Sequence, residues 1–276
     1  SELMSILNSE AKLSKVIQKE LQIIRKQFAE PRRSIIEDQI EEIKLTLDVL
    51  IPSEEVVVTV TKDGYVKRTS SRSYSASNGK DFAMKDSDYL LFESTMNTQH
   101  QLLLFTSLGN YIYQPVHELP DIRWKDLGQH ISSIISLDSN ETIIKAIPIV
   151  DFTEDVYILA VSKQGQIKRS LLADYQVQRY SRALNTMNLK KGDEVVYINL
   201  VTPMDDVFIV THNAYAVRFN MQEVPVTGIK TGGVKGINLK DGDVVVSAAT
   251  IPTDASGDIF LVTHRGAVKK MSLKEF

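Results

Sequence analysis

Thr59-Val-Thr-Lys-Asp-Gly-Tyr-Val-Lys-Arg68 reads as strand, turn and strand, and the chain repeats it. The approach, Val56-Val-Val-Thr-Val60, is β-branched throughout, and Asp-Gly between apolar runs is a strong hairpin signal. The turn and its flanks return as Phe105-Thr-Ser-Leu-Gly-Asn-Tyr-Ile-Tyr113, Val161-Ser-Lys-Gln-Gly-Gln-Ile-Lys-Arg169, Val210-Thr-His-Asn-Ala-Tyr-Ala-Val-Arg218 and Val262-Thr-His-Arg-Gly-Ala-Val-Lys-Lys270, without a gap. A hydroxyl holds one position in every copy (Thr61, Thr106, Ser162, Thr211, Thr263), and the turn position holds Gly64, Gly109, Gly165, Ala214 and Gly266. The hydroxyls stand 45, 56, 49 and 52 residues apart, a period that belongs to propellers and arrays.

Each repeat has a second half. Met84-Lys-Asp-Ser-Asp88, Leu137-Asp-Ser-Asn-Glu141, Leu189-Lys-Lys-Gly-Asp193 and Leu239-Lys-Asp-Gly-Asp243 align, end in an acid and run into a strand. A repeat is then hairpin, loop, turn, strand and linker, about four strands or one propeller-like blade. Such units cannot bury their faces alone and must stack on neighbours. The expected fold is mainly β, with four full repeats and the start of a fifth. A closed ring needs residues beyond Phe276, or pairing of the first and last strands.

Ahead of the repeats the period is helical. Leu13, Val16, Ile17, Leu21, Ile24 and Phe28 mark one face of a helix over 9–29, with Ser9 or Asn8 as its cap and Pro31 as its stop. A second helix is expected from Ser34 to Leu50, where Ile36, Ile40, Ile43, Leu47 and Leu50 form a seam. At Pro52 the period becomes two, which divides the chain into a helical segment, 1–52, and a β domain, 53–276. The Ser-rich stretch Ser70–Lys80 reads as a loop.

With 276 residues, 43% of them hydrophobic, the chain can bury a substantial core. It has no cysteine, so disulfides and thiolate metal sites are excluded. No apolar run approaches bilayer length, and the start is not that of a signal peptide. Beginning on Ser1 and stopping just past a repeat's second strand, it reads as a fragment of a longer protein. The net charge of −3 argues against a strongly basic nucleic-acid binder. Residues 56–276 hold 24 basic and 24 acidic groups, so any polyanion site must come from uneven placement.

Enzyme signatures are weak. His117-Glu118 lacks the second histidine of a zinc-protease helix, and Pro120 would break that helix. His212 and His264 occupy matching turns in different repeats, too far apart to share a metal, and read as surface histidines. Gly228-Ile-Lys-Thr-Gly-Gly-Val-Lys-Gly236 lacks the Gly-Lys-Ser/Thr ending of a phosphate-cradling loop; it is either an ordinary loop or one that approaches a phosphate backbone. The basic residues are more informative. After the turn come Lys67-Arg68, Lys168-Arg169, Val217-Arg218 and Lys269-Lys270; repeat two departs, with Ile112-Tyr113. Around an axis, matched positions fall on one circumference, so these cations would form a rim suited to a curving duplex. The competing explanation is that they solvate exposed strands and protect edges.

These repeats resemble the β-pinwheel C-terminal domain of the A subunits of bacterial type IIA topoisomerases, over almost the whole chain. Lys19-Glu-Leu-Gln-Ile-Ile-Arg-Lys-Gln-Phe-Ala-Glu-Pro-Arg-Arg-Ser34 resembles the helix and Arg-Arg-Thr/Ser that close the cleavage core. Thr61-Lys-Asp-Gly-Tyr-Val-Lys-Arg68 resembles the first blade, and Gly233-Val-Lys-Gly-Ile-Asn-Leu-Lys-Asp-Gly-Asp243 the Gly-Val-x-Gly-Ile-x-Leu-x-x-Gly-Asp loop of later ones. Gyrase members carry the box Gln-Arg-Arg-Gly-Gly-Lys-Gly in the first blade. The matching Tyr74-Ser-Ala-Ser-Asn-Gly-Lys-Asp81 keeps only Gly79 and Lys80, so the chain is similar to the topoisomerase IV branch, whose box is degenerate.

The resemblance implies a β-pinwheel that binds and bends duplex DNA without wrapping it chirally, in an enzyme that decatenates chromosomes and relaxes supercoils. It implies no catalytic residue, metal or cofactor in this segment, ATP and Mg²⁺ being used in other domains or subunits, and no small-molecule substrate. The implied partners are duplex DNA and the remainder of the parent enzyme, in which two copies each of two different polypeptides form an A2B2 assembly. The implied location is cytoplasmic and nucleoid-associated, with a peripheral position at the inner membrane left open. Arg179-Tyr180 does not match the context of the family's nucleophile and is rejected as a catalytic site. The expected DNA contacts are Lys67, Arg68, Lys168, Arg169, Arg218, Lys269 and Lys270 on the hairpins, and Arg72, Lys80, Lys85, Arg179, Arg182, Lys230 and Lys235 on loops. The alternatives are a gyrase-type wrapping domain, a protein-interaction propeller and, from another class, a propeller enzyme.

Overall fold

The structure, a computed structural model, describes residues 2–30 and 51–276. The chain divides into two compact units, Ser1–Leu45 and Thr46–Phe276. In the first, α1 (Glu2–Leu7) leads into α2 (Glu10–Phe28). The 3.6-residue periodicity located α2 to within a residue at each end. Ser9 takes the N-cap position in extended conformation, but its side chain makes no capping bond; its carbonyl accepts from the amides of Lys12 and Leu13 instead. The expected second helix and its seam, and Pro31, lie outside the described residues.

The second unit is a series of antiparallel sheets, agreeing with a mainly β, propeller-like fold. Repeat one supplies β1 (Glu55–Thr61), β2 (Tyr65–Ser70), α3 (Ser71–Ser77) and β3 (Leu90–Asn97). Repeat two supplies β4 (Gln101–Thr106), β5 (Asn110–Pro115), β6 (Gln129–His130) and β7 (Ile143–Ile149). Repeat three follows with β8 (Tyr157–Ser162), β9 (Gln166–Leu171), β10 (Leu184–Asn185) and β11 (Val195–Val201), and repeat four with β12 (Asp206–Thr211), β13 (Ala216–Asn220), β14 (Val234–Lys235) and β15 (Val245–Ile251). β16 (Asp258–Val262) and β17 (Val268–Ser272) form the last hairpin.

A repeat is not a blade, however. The sheets run β3-β1-β2-β6, β10-β5-β4-β7, β11-β8-β9-β14, β13-β12-β15 and β16-β17. Each complete sheet takes three strands from one repeat and its edge strand from the next. This corrects the expectation that one repeat builds a four-stranded unit, since two-residue β6, β10 and β14 pair backwards. Neighbouring sheets pack through β3, β7, β11 and β15, which therefore face the axis. The exchanged strands lie at the opposite, outer edge.

The repeated hydroxyl and acid hold the hairpin turn. The hydroxyl oxygens of Thr61, Thr106, Ser162, Thr211 and Thr263 accept from the amides of Tyr65, Asn110, Gln166, Tyr215 and Ala267 at 3.0–3.2 Å. Asp88, Asp193 and Asp243 each accept two amides, one in the turn and one at the start of the following strand. Glu141, one methylene longer, reaches the hydroxyl of Thr106 and the side chain of Asn110 instead. Buried polar groups of this kind specify register because leaving any of them unpaired is costly. Apolar residues of adjacent sheets interdigitate between these turns: Val58, Val60 and Val66 pack with Leu102, Leu104 and Ile112.

Ser70–Lys80 is not a loop throughout. Ser70 caps α3 through its side chain, which accepts from the Ser73 amide, and Asn78 closes the helix in left-handed conformation. Capping by serine overrides the modest helix propensity of the segment. Tyr74 then meets Trp124 edge-on, with ring centroids 4.7 Å apart.

Candidate nucleic-acid interface

Three loops carry the chain from one repeat to the sheet before it: 116–130, 172–186 and 221–236. The first and third follow one course. After Leu119-Pro120 the chain bridges Arg68 in parallel, Pro120 accepting from the Arg68 amide and the Ile122 amide donating to the Arg68 carbonyl. After Val224-Pro225 it bridges Arg169, whose carbonyl accepts from the Thr227 amide. Both loops swing out and return antiparallel as β6 and β14, each entered by a glycine against the receiving strand. A Cβ on Gly233 would stand 2.4 Å from the Ile167 carbonyl oxygen, and one on Gly128 would stand 2.9 Å from that of Val66. Turn-glycine carbonyls fix the far ends: Gly64 accepts from Ile131 at 2.8 Å, Gly165 from Gly236 at 2.8 Å and Gly109 from Met187 at 3.0 Å.

The two loops are wound around buried lysines. Lys67 Nζ donates to the carbonyls of Arg123, Trp124 and Asp126 at 3.0, 2.7 and 2.6 Å. It also lies 4.7 Å from the Phe82 ring centroid, with Trp124 beside it. Lys168 Nζ donates to Gly228, Ile229 and Thr186 at 2.8–2.9 Å, with Thr231 at 3.5 Å. Both side chains are only 1% exposed. Burial lowers each ammonium to about 8, and for Lys67 the nearby Asp126 opposes part of that shift. Both therefore remain protonated at neutral pH.

The expectation that Lys67, Lys168 and Arg169 contact phosphates is corrected. Arg169 is buried, donating from Nε to the Val224 carbonyl at 2.6 Å with its guanidinium over Tyr157. The reason is topological. β2 and β9 looked like outer strands, but exchange places β6 and β14 outside them, and the loops leading into those strands cover Lys67, Lys168 and Arg169. Arg68 is half-buried. Arg218 is half-buried and paired with Asp206 at 2.9 Å, donating also to the Leu273 carbonyl. Lys270 is exposed but paired with Asp258 at 2.9 Å, and Lys269 is exposed. The matched hairpin positions thus form no continuous exposed ring. In repeat two, Ile112 is core and Tyr113 stacks on Phe152.

The loop cations fare differently. Arg72, Lys80, Lys85, Arg179, Arg182, Lys230 and Lys235 are all exposed. Lys85 lies over the Tyr65 ring at 4.8 Å. Arg179 and Arg182 lie on the second exchanged loop, Lys230 and Lys235 on the third, and among the described residues none of these four has a carboxylate within ion-pair distance. The first loop presents Arg123 and Lys125, which the sequence reading missed, held by Asp126 at 2.7 Å and Asp81 at 3.1 Å. Their signal was there: Leu119-Pro120 to Gly128 aligns with Val224-Pro225 to Gly233 without a gap. Every exchanged loop thus carries two exposed cations at the outer edge of its sheet. The Gly228–Gly236 loop turns carbonyls inward onto Lys168 and cations outward. His212 and His264 are exposed, and among the described residues no group of side chains is arranged to hold a metal. No helix among them is long and apolar enough to cross a membrane.

Comparison with known proteins agrees with this architecture. The family model described as DNA gyrase C-terminal domain, beta-propeller, matches residues 55–80, 100–149, 157–202, 205–252 and 257–276, one segment per repeat. The DNA topoisomerase 4 A chain of Bacillus subtilis (strain 168) is 52% identical over 275 residues, covering 100% of this chain and 34% of the relative. Its counterpart in Streptococcus pneumoniae serotype 4 is 41% identical over 276 residues, covering 99% of this chain and 33% of the relative. The chain therefore spans about a third of the length of these relatives. A crystal structure of the C-terminal domain of DNA topoisomerase IV matches with TM-score 0.78 and 57% identity, over 82% of this chain and 70% of that one. A DNA gyrase A C-terminal domain structure matches with TM-score 0.58 and 25% identity, over 80% and 72%. The chain belongs to the family of DNA gyrase C-terminal domains, beta-propeller, and within it is similar to the A subunits of topoisomerase IV.

Proposed function

We propose that this chain binds duplex DNA along the ring of exchanged loops and bends it, presenting the duplex to a type IIA topoisomerase that decatenates chromosomes and relaxes supercoils. The observation that carries this is the outward pair of cations on successive loops, Arg179 with Arg182 and Lys230 with Lys235, which have no carboxylate partner among the described residues. Arg72, Lys80 and Lys85 extend the track on repeat one, and Lys269 on the last hairpin. Phosphates follow a curved path when a duplex bends, and cations repeated along an edge neutralise them at each contact. The second polypeptide, the A2B2 assembly and ATP with Mg²⁺ belong to the parent enzyme in this proposal. Bending rather than wrapping is supported by Tyr74–Asp81, which takes the place of the gyrase box, starts within α3 and keeps Lys80 without the paired box arginines.

A mobility-shift assay on linear duplex at low and moderate salt tests this. Each phosphate contact removed by charge reversal at Arg179, Arg182, Lys230 or Lys235 flattens the salt dependence by about one unit. Unchanged affinity and slope in the fourfold reversal would refute the track. Absence of salt-dependent affinity in the wild type would favour a protein-interaction propeller.

A further inference from the structure

The first and third exchanged loops each enclose an ammonium; the second has none of its own and meets one only at its end, where the Thr186 carbonyl accepts from Lys168. In the loop received by the second sheet the matching position is Ile112, fully buried in apolar surroundings. We infer that Lys67 and Lys168 are positioning residues for nucleic-acid contact: each is the core on which an exchanged loop is wound, and so each fixes the outward cations of that loop. The inference rests on the DNA-binding reading above and extends it to residues that touch no DNA.

The geometry is specific. An exchanged loop folds back on itself with its carbonyls turned inward onto the lysine, and inward carbonyls need donors. An ammonium supplies three donors from one point, which suits carbonyls converging from three directions. Lys67 meets Arg123, Trp124 and Asp126 of the first loop, and Lys168 meets Gly228 and Ile229 of the third together with Thr186 at the end of the second. The residues whose carbonyls are held are also those that bear or flank the exposed cations: Arg123 itself, Trp124 next to Lys125, and Ile229 next to Lys230. Holding the backbone there removes freedom that binding would otherwise have to remove. A protonated lysine also attracts the carbonyl dipoles, so neutral isosteres fill the space without holding the loop.

The test uses the full chain with Lys67→Met and Lys168→Met, and Lys269→Met as the exposed equivalent. Amide exchange reads the loops: Ile122 and Ile131 report the first, Thr227 and Gly236 the third, each amide being bonded to the receiving strand or its turn. Among these four amides, Lys67→Met is expected to speed exchange at Ile122 and Ile131 alone, and Lys168→Met at Thr227 and Gly236 alone; Lys168→Met also frees the Thr186 carbonyl, so the Met187 amide beside it should exchange faster too. DNA affinity should fall about tenfold in each, the effect of immobilising two long cationic side chains only on binding. The salt slope should stay that of the wild type, because the contacting cations remain; a residue that itself met phosphate would flatten it. Lys269→Met should leave loop exchange unchanged. Fast loop exchange with undiminished affinity overturns the positioning role, and unchanged loop exchange overturns the anchor. A wild type without DNA affinity overturns the binding reading and with it this role, while the exchange data still judge the anchor. If neither variant folds, native-state exchange on the wild type decides: the four reporter amides exchanging as freely as a fraying terminus would overturn the inference.

Discussion

Gly233→Ala tests strand exchange, the feature that most shapes this domain. Gly233 has φ +77°, and its Cβ would stand 2.4 Å from the Ile167 carbonyl oxygen and 2.9 Å from the Lys168 Cβ. Two costs separate cleanly. An alanine in left-handed conformation costs about 1–2 kcal/mol wherever it occurs. The overlap is additional: ordinary contact begins at 3.4 Å, so the exchanged strand must retreat from β9. Overpacking against a backbone that cannot yield costs about 1–3 kcal/mol. The Gly236–Gly165 bond of 2.8 Å, just beyond β14, is at risk for roughly 1 kcal/mol more. The expected loss is about 3–6 kcal/mol.

Gly192 and Gly242 are internal controls. They share the backbone conformation, at φ +78° and +77°, with nothing within 4 Å of the added Cβ. Gly192→Ala and Gly242→Ala therefore incur only the conformational cost of about 1–2 kcal/mol. Urea denaturation followed by circular dichroism gives the differences from shifts of the midpoint at constant slope. Amide exchange at Gly236 shows whether the damage is at the exchanged strand. Equal losses in Gly233→Ala and Gly242→Ala, with Gly236 still protected, would refute the close approach of β14 to β9.

Other substitutions probe the remaining devices. Ala214 holds φ +63° at the turn position where other repeats have glycine, so Ala214→Gly should stabilise by about 1 kcal/mol in thermal or urea unfolding; a loss would contradict the strain. Asp206→Ala leaves Arg218 half-buried without its 2.9 Å partner and should cost about 2–3 kcal/mol, part of it recovered in Asp206→Ala/Arg218→Met; additive losses would show that the pair is not coupled. Lys168 is lowered by burial to about 8 from its ordinary 10.5, so between those values the unfolded chain holds a proton that the folded chain gives up. Stability accordingly rises with pH through that window, by at most about 1.4 kcal/mol per pH unit for this group. The slope should be smaller in Lys168→Met, and identical slopes would show that Lys168 titrates normally.

The hairpins, their turns and the propeller-like class were legible because they rest on local chemistry: Asp-Gly at a turn, β-branched flanks, a period near fifty residues. The reason for the repeated hydroxyl and acid was hidden, since it lies in hydrogen bonds spanning about thirty residues, such as Asp193 to Gln164. Strand exchange was hidden too. β6, β10 and β14 are two residues long and carry no periodicity, and pairing with the preceding repeat is a tertiary fact. That one omission produced the main error at the site. If β2 were an edge strand, Lys67 would face solvent; with β6 beyond it, Lys67 faces the loop. The cations expected on loops are all exposed, since connecting segments lie on the surface whatever the topology, although Arg72 stands on α3 and Lys235 on β14. Ser70–Lys80 misled through composition, for its serines form a cap and a short helix rather than a flexible run.

Burial also changes how the charge of the domain should be understood. Lys67, Lys168 and Arg169 leave the surface, and so do Asp88, Asp193 and Asp243. The two sets cancel, and the exterior of the β domain stays balanced. A balanced exterior produces little long-range attraction, and at physiological ionic strength fields beyond about 8 Å are screened. Affinity for DNA must then arise within contact distance, from cations held where phosphates pass. This gives the buried carboxylates and the buried ammonium groups related tasks. Asp88 and Asp193 fix the hairpin turns that receive the next repeat, and Lys67 and Lys168 fix the loops that arrive there. Moving the cations of one loop, by loosening its core, should matter as much as deleting one of them. The exposed charge is untouched in the first case, and only its placement differs.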